Sequence, residues 1–399
     1  MALAGAAAVL PVISIAGFEI VMGAAIVAMA VLRVKPRWPP IWLPLSLFFL
    51  GTVISWLASG DMRDGVPQIK KFYVYAMVFV VASTFQNSAQ IRWLALAWAA
   101  AASASAGFGL YQFYDKYEDA AGKHVNFYDS YVADRITGFL DHWMTFSGEM
   151  MMALLVIAGV VFFCRDRRWV TWLIAAGALV GAALVAAETR SMWAGAACGG
   201  VYLLWFWRRW TVIALPVLAG ILILVNPFGI GDRERSVFQP HGDRDSNEHR
   251  VVTRRIGWAM IKAHPWLGVG PEQVGKQYLQ YVPADVKKLP TGYYQHLHNV
   301  YIHYAAERGV PTMLMLVWML LRALYDFVRT LRRLPAGAEE RWVLHTGIAV
   351  IIAIMIAAWE EVNLGTSVVL AMFLAIVGCG YVVVATCPEP RSSPSSDPR

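Results

Sequence analysis

The stretch His296-Leu-His-Asn-Val-Tyr-Ile-His-Tyr-Ala-Ala-Glu-Arg-Gly-Val-Pro-Thr312 decides how the rest of the chain is read. It closes the only long polar segment, roughly residues 227 to 297, and then runs directly into apolar sequence. Three of the nine histidines fall within it, at 296, 298 and 303. A titratable cluster at the mouth of a membrane helix is costly to place, and it marks a site of chemistry. Working outward, the remainder reads as a helical bundle that holds this segment against one face of a bilayer.

Composition agrees. The 399 residues are 58% hydrophobic and 15% charged, with a mean hydropathy of +0.50. A soluble domain carries about 45–50% apolar and about 25% charged residues. The chain is therefore an integral membrane protein. Its seventeen Trp and sixteen Tyr suit interfacial aromatic belts. Cys164, Cys198, Cys379 and Cys387 lie in or beside apolar runs without paired spacing. They read as packing residues, neither a disulfide framework nor a zinc site. The N-terminus lacks the charged region and cleavage site of a signal peptide, so no processing is expected.

Apolar segments near spanning length fall at about 17–33, 41–58, 68–85, 91–113, 143–164, 169–187, 190–207, 210–226, 309–331, 342–359 and 364–385. Residues 2–14 are apolar, short and broken by Pro11. One straight helix from 2 to 33 would be about 48 Å long, so a separate twelfth helix in a tight hairpin is expected. Arg33-Val-Lys-Pro-Arg37, Arg165-Asp-Arg-Arg168, Arg208-Arg209 and Arg332-Arg333 follow alternate segments. Placing all four in the cytoplasm makes the whole chain alternate without conflict. Both termini are then cytoplasmic, and the loops at about 114–142 and 227–297 lie outside.

The expected organisation is all-α and polytopic, with about twelve transmembrane helices. Residues 1–226 hold helices one to nine, 227–297 form a large, partly helical outer lobe, and 298–386 hold the last three helices. The Pro/Ser-rich tail, 387–399, is expected to be disordered. There is no internal repeat of the transporter kind, no heptad array and no nucleic-acid motif. Within the lobe, residues 246–263 read as a capped amphipathic helix, with Val252, Ile256, Ala259 and Ala263 on one stripe. Arg250 and Arg254 lie on the other side, one turn apart. His264-Pro-Trp-Leu-Gly-Val-Gly-Pro271 then stops the helix.

Several polar residues gather on the outer face. Arg190, in Glu188-Thr-Arg-Ser-Met-Trp193, stands where positive charge is disfavoured. A helix N-terminus plus a guanidinium makes an anion site; the plainer reading is a snorkelling arginine paired with Glu188. Arg254 and Arg255 are about 100° apart on a helix, so one can reach an anion while the other meets solvent. Arg135 and His142 return to the membrane surface at the end of the first outer loop. Glu360 and Glu361, in the turn before the last helix, can orient a base or an arginine, or simply cap that helix. His298 and His303 are five positions apart and do not share a helix face as metal ligands would. The only outer-loop Asp-x-Asp is Asp243-Arg-Asp245. No metal site is expected.

These residues resemble a known family, the bacterial O-antigen ligases of the O-antigen ligase/polymerase superfamily. In topology the resemblance covers nearly the whole chain. The family's loop signature is His, then Asn, Ser or Gln, nine residues, then Gly-x-x-Gly-Thr. Here His298-Asn299 leads after nine residues to Gly309-Val-Pro-Thr312, with threonine in the place of the second glycine. Arg254-x-x-x-Trp258 leading to His264-Pro-x-x-Gly-Val-Gly270 also looks like the superfamily pattern, as does Arg190-Ser191 at a helix start; Arg135-x-x-Gly138 is a looser match. The resemblance implies a metal-independent glycosyltransferase of GT-C type that needs no ATP or other cofactor. It would move a polysaccharide from undecaprenyl pyrophosphate to a sugar hydroxyl of lipid A–core, at the periplasmic face of the inner membrane, in lipopolysaccharide biosynthesis. The residue chemistry fits that expectation: His298 as general base, Arg190, Arg254 and Arg255 on the pyrophosphate, and Arg135, Asn299 and Glu360 in support. A polymerase or a protein O-oligosaccharyltransferase of the same superfamily would use the same chemistry on another acceptor. A transporter of lipid-linked sugars would instead bury polar residues at mid-membrane.

Overall fold

An apolar run in a bilayer has to satisfy its own backbone hydrogen bonds, and a helix does so within one segment. The computed structural model describes residues 1–226, 246–287, 289 and 295–387, and among them no strand occurs. The Asp243–Asp245 pair and the tail beyond Cys387 lie outside the described residues. The first half of the chain forms α1 (Ala2–Val9), α2 (Ile15–Val31), α3 (Trp42–Ala58), α4 (Met62–Lys70), α5 (Ala76–Thr84), α6 (Ser88–Gly122), α7 (Phe127–Tyr131), α8 (Trp143–Phe163) and α9 (Val170–Ala186). The second half forms α10 (Arg190–Trp207), α11 (Ala214–Val225), α12 (Ser246–Ala263), α13 (Val274–Gln277), α14 (Val300–Arg308), α15 (Val310–Arg333), α16 (Arg341–Ala357) and α17 (Ser367–Thr386). Four of these, α6, α8, α15 and α17, are long and apolar enough to cross a membrane. The apolar α2, α3, α9 and α16 are shorter, as are residues 2–12 and 209–225.

The hairpin expected at the N-terminus is present. A 3-10 turn at Leu10–Val12 holds Pro11, and the Ser14 side chain then caps α2 by accepting from Gly17 N at 3.2 Å. Eight residues make α1 only about 12 Å long, so it lies within the bundle without spanning a bilayer unaided. The segment expected as one helix at 68–85 is broken. It divides into α4, a 3-10 stretch at Lys71–Tyr75, and α5. Pro67 lies inside α4, and adjacent charges at Lys70 and Lys71 resist continuous burial. In contrast α6 overruns its expected end at 113. Its 35 residues carry the helix into the first outer loop, where the polar Tyr111–Gly122 stretch still favours helix.

The centre of the bundle is α17. Every residue from Val368 to Val383 is buried, as expected of a helix that is apolar on all sides. Another tight contact joins α10 to α16. A Cβ on Gly199 would lie 2.8 Å from the Ala349 carbonyl oxygen, and one on Gly195 would lie 2.7 Å from that of Ala353. Two small residues four apart let the backbones meet, as in membrane helix pairs generally. Gly199→Leu should therefore cost more than the roughly 1–3 kcal/mol of ordinary overpacking, read as a lower melting temperature in detergent. An unchanged melting temperature would mean that the helices can separate freely.

The ends of the bundle differ in charge. At one end Arg92 lies 3.4 Å from Asp166 and 3.5 Å from Glu339, and Arg37 donates to the carbonyls of Ala82 and Phe85 at the end of α5. The four arginine-bearing turns sit at this end, because the helices leading to or from them share it. Running each helix to its other end brings the start of α8, the start of α10, the end of α16 and the whole of α14 together. A second hydrophobic cluster seats α12 on α14: Val252, Ile256 and Met260 of α12 pack with Leu297, Ala305 and Ala306. The stripe of α12 is thus rotated from the expected one. Ala263 is exposed and Met260 takes the inner place, packed with the residues of α14.

Candidate active site

Asn299 builds the site locally. Its Oδ1 accepts from Ile302 N at 2.9 Å and caps α14, while its Nδ2 donates to the Trp359 carbonyl at 2.8 Å. Val300 N also donates to the Ala358 carbonyl at 2.9 Å. The His298-Asn299 pair is thereby pinned to the turn that follows α16. His298 itself adopts φ 47°, a left-handed backbone that costs an L-residue about 1–2 kcal/mol. Strain of this kind persists where surrounding contacts over-determine it.

That turn supplies the carboxylate. Glu361 is buried, and its Oε2 lies 3.2 Å from His298 Nδ1, across 63 positions of sequence. Its other oxygen accepts from Arg250 Nη2. Burial alone would raise the Glu361 carboxyl, but the Arg250 charge and the His298 hydrogen bond outweigh it and hold the group below its ordinary value. Arg250 also lies 3.4 Å from Glu360, and Arg254, one turn further along α12, lies 2.6 Å from the other oxygen of Glu360. Both arginines therefore meet the Glu360-Glu361 pair. The ring of His249 packs edge-on to that of His298, with centroids 5.5 Å apart.

The other candidates fall around this core. Arg135 donates to the Glu188 carbonyl at 3.0 Å and lies over the Trp143 ring at 4.8 Å, and its charge acts on both Glu361 and His142. Arg190 opens α10 two positions after Glu188, beside Thr189, whose hydroxyl bonds Ser147 at 2.9 Å. His142 caps α8 through Nδ1, which accepts from Met144 N at 3.2 Å, and burial holds its pKa below the ordinary value. Arg255 points elsewhere. It pairs with Asp285 at 2.7 Å on the exposed side of α12.

The three histidines of the opening stretch part company. His298 joins the arginine–glutamate cluster. His303 is buried, with Nε2 at 3.8 Å from Glu307, and burial holds it well below its ordinary pKa. His296 packs edge-on against His303 at 5.4 Å. Beyond His303, Glu307 pairs with Arg308 at 2.9 Å, and Arg308 reaches Gln68 at 2.9 Å and lies over Tyr304 at 4.3 Å. Among the described residues, no three His, Cys, Asp or Glu side chains gather as a metal-holding group.

Residues 175–317 match a family model described as O-antigen ligase. This stretch is similar to the O-antigen ligase/polymerase superfamily. No curated protein matches the chain. The family is one of glycosyltransferase-like membrane enzymes. The matched stretch carries Arg190, Arg250, Arg254 and His298, while Glu360, Glu361 and Arg135 come from outside it. Residues of the matched stretch thus meet carboxylates supplied by the turn before the last helix.

The motif's departure from the family signature also has a structural counterpart. Gly309, φ 84°, ends α14 so close to Trp266 and Leu267 that a side chain has no room, and α15 starts at once with Pro311 next in line. Thr312, in the place of the second glycine, packs its hydroxyl where a Cβ of Gly51 on α3 would stand. The small residue of that contact lies on the partner helix instead.

Arg250 and His249 are the members that sequence reading passed over. The spacing of Arg250 with Arg254 was visible in the sequence and signals a shared face; His249 carries no such signal.

Proposed function

We propose that this protein is an O-antigen ligase. It would transfer a polysaccharide from undecaprenyl pyrophosphate to a sugar hydroxyl of lipid A–core at the periplasmic face of the inner membrane. One observation carries the reading: a histidine bonded to a buried carboxylate stands beside arginines at one end of an apolar helical bundle.

The chemistry follows from that arrangement. A carboxylate on Nδ1 favours the tautomer that carries its proton there, which leaves the Nε2 lone pair open. The acceptor hydroxyl gives its proton to Nε2 as its oxygen bonds to the anomeric carbon. The bond from that carbon to the pyrophosphate oxygen breaks, and the undecaprenyl pyrophosphate leaves as an anion. Arginines stabilise the charge that develops on it. Arg250 is committed to buried Glu361, whereas Arg254 faces the partly exposed Glu360. A pyrophosphate can displace the second carboxylate more easily than the first, so Arg254 is the exchangeable cation. Arg190 joins it from the α10 N-terminus, where the helix dipole also favours an anion.

A polymerase or a protein O-oligosaccharyltransferase would use these same groups, so the acceptor separates the readings. Purified protein is reconstituted with lipid-linked glycan and offered lipid A–core, free glycan or a pilin-like protein. Transfer to lipid A–core is expected, undiminished by chelator. Transfer only to another acceptor would reassign the activity, and loss in chelator restored by a divalent ion would overturn the metal-independent mechanism.

The orientation has its own test. In a background without the four native cysteines, a cysteine at Asp129 should label from the periplasm and one at Ala336 should not. Both positions are exposed at opposite ends of the bundle. Labelling of Ala336 from outside would invert the topology and remove the site from the periplasm.

A further inference from the structure

Lys71 opens the 3-10 stretch between α4 and α5. From the basic end of the bundle, α5 rises about 14 Å over its nine residues and the 3-10 stretch about 10 Å over its five. That places the ammonium about 24 Å up, near the level of the site. Its Nζ donates to the Gly365 carbonyl at 2.7 Å. Gly365 ends a 3-10 turn that begins two positions after Glu361. The segment that holds His298 and the arginines at one end therefore holds Lys71 at the other.

This cation is under-used. One of three N–H donors is engaged, and no carboxylate lies within ion-pair distance of it among the described residues. The nearby carboxylates are committed: Glu307 to Arg308 and to Glu272 N, Glu272 to Gln68. Arg308 adds a second positive charge to the neighbourhood, against which Glu272 and Glu307 act from a distance. Holding a partly buried ammonium with its opposite charges, Glu272 and Glu307, beyond ion-pair distance is costly. A fold that only had to tie down the Gly365 carbonyl would be better served by a neutral donor. Glu272, Glu307, His298 and Lys71 all act electrostatically on His296.

We propose that Lys71 binds a phosphate-type oxyanion of the substrate, at the opposite end of the turn from the arginines. The inference rests on the transferase reading of the site. The oxyanion belongs either to the donor pyrophosphate or to a phosphate on the acceptor glycan.

The test uses full-length Lys71→Met and Lys71→Gln, the second keeping a donor for the Gly365 carbonyl without the charge. Three affinities are measured: for inorganic pyrophosphate, for lipid-linked donor, and for acceptors with and without phosphate. Loss of one charge-assisted contact should weaken binding about tenfold to a hundredfold, and Lys71→Arg should restore much of it. Weaker pyrophosphate and donor binding assigns the contact to the donor. A raised KM confined to the phosphorylated acceptor assigns it to the acceptor. Wild-type affinity for every ligand, with only a lowered melting temperature, would reduce Lys71 to a structural tie and end the proposal. If Lys71→Gln loses pyrophosphate binding while His298→Asn retains full transfer, the anion site stands and the general-base assignment falls.

Discussion

His298→Asn is expected to lose transfer by about 10²–10⁴-fold, the usual cost of removing a general base. The variant should still fold and still bind lipid-linked donor. Asparagine is the right replacement because its short amide tolerates the left-handed backbone that His298 adopts at φ 47°. It also keeps a polar group facing Glu361, so the carboxylate is not left without a partner. Single-turnover assays with saturating donor separate the chemical step from binding. The competing account is that His298 only shapes the entry to α14, a task that Asn299 already performs through its two hydrogen bonds. Near-full activity in a folded His298→Asn protein would sink the general-base assignment.

The second large effect separates two arginines one turn apart. Arg254→Ala should fold normally and lower transfer about 10²–10³-fold, as when a donor to a developing anion is removed. Donor affinity should fall with it. Arg190→Ala should behave alike. Arg250→Ala is expected to act through stability instead. Its partner Glu361 is buried and would keep only the His298 hydrogen bond and the field of Arg135, a loss that costs up to about 3–5 kcal/mol. A melting curve and a donor-binding isotherm for each variant decide the matter. If Arg250→Ala folds as well as Arg254→Ala, Glu361 is not held as described. If Arg254→Ala binds donor as tightly as the wild type, the exchangeable cation lies elsewhere.

Much of this was legible in the residues. The apolar runs mark the helices, because hydrophobicity on this scale has no soluble alternative. The breaks within runs were harder to see. The break in 68–85 places Lys71 against the Gly365 carbonyl, nearly three hundred positions away, a partner that local spacing does not reveal. The extra turns of α6 were hidden because the apolar signal ends near 113, while helix propensity carries the polar stretch on to Gly122.

Composition and spacing dictate a membrane bundle, the charge asymmetry of its turns, and the types of residue gathered near His298. Those are properties of short stretches, set by solvation and backbone geometry. Partner choice is another matter. That Glu361 takes His298 and Arg250 while Glu360 takes Arg254, and that Arg255 turns to Asp285 instead, follows from how α12 rests on α14 beside the end of α16. A rotation of α12 by one residue would exchange these roles without altering the hydrophobic pattern much. Only packing in three dimensions selects among such nearly equivalent faces, since hydrogen bonds and ion pairs depend on distances that sequence spacing does not encode.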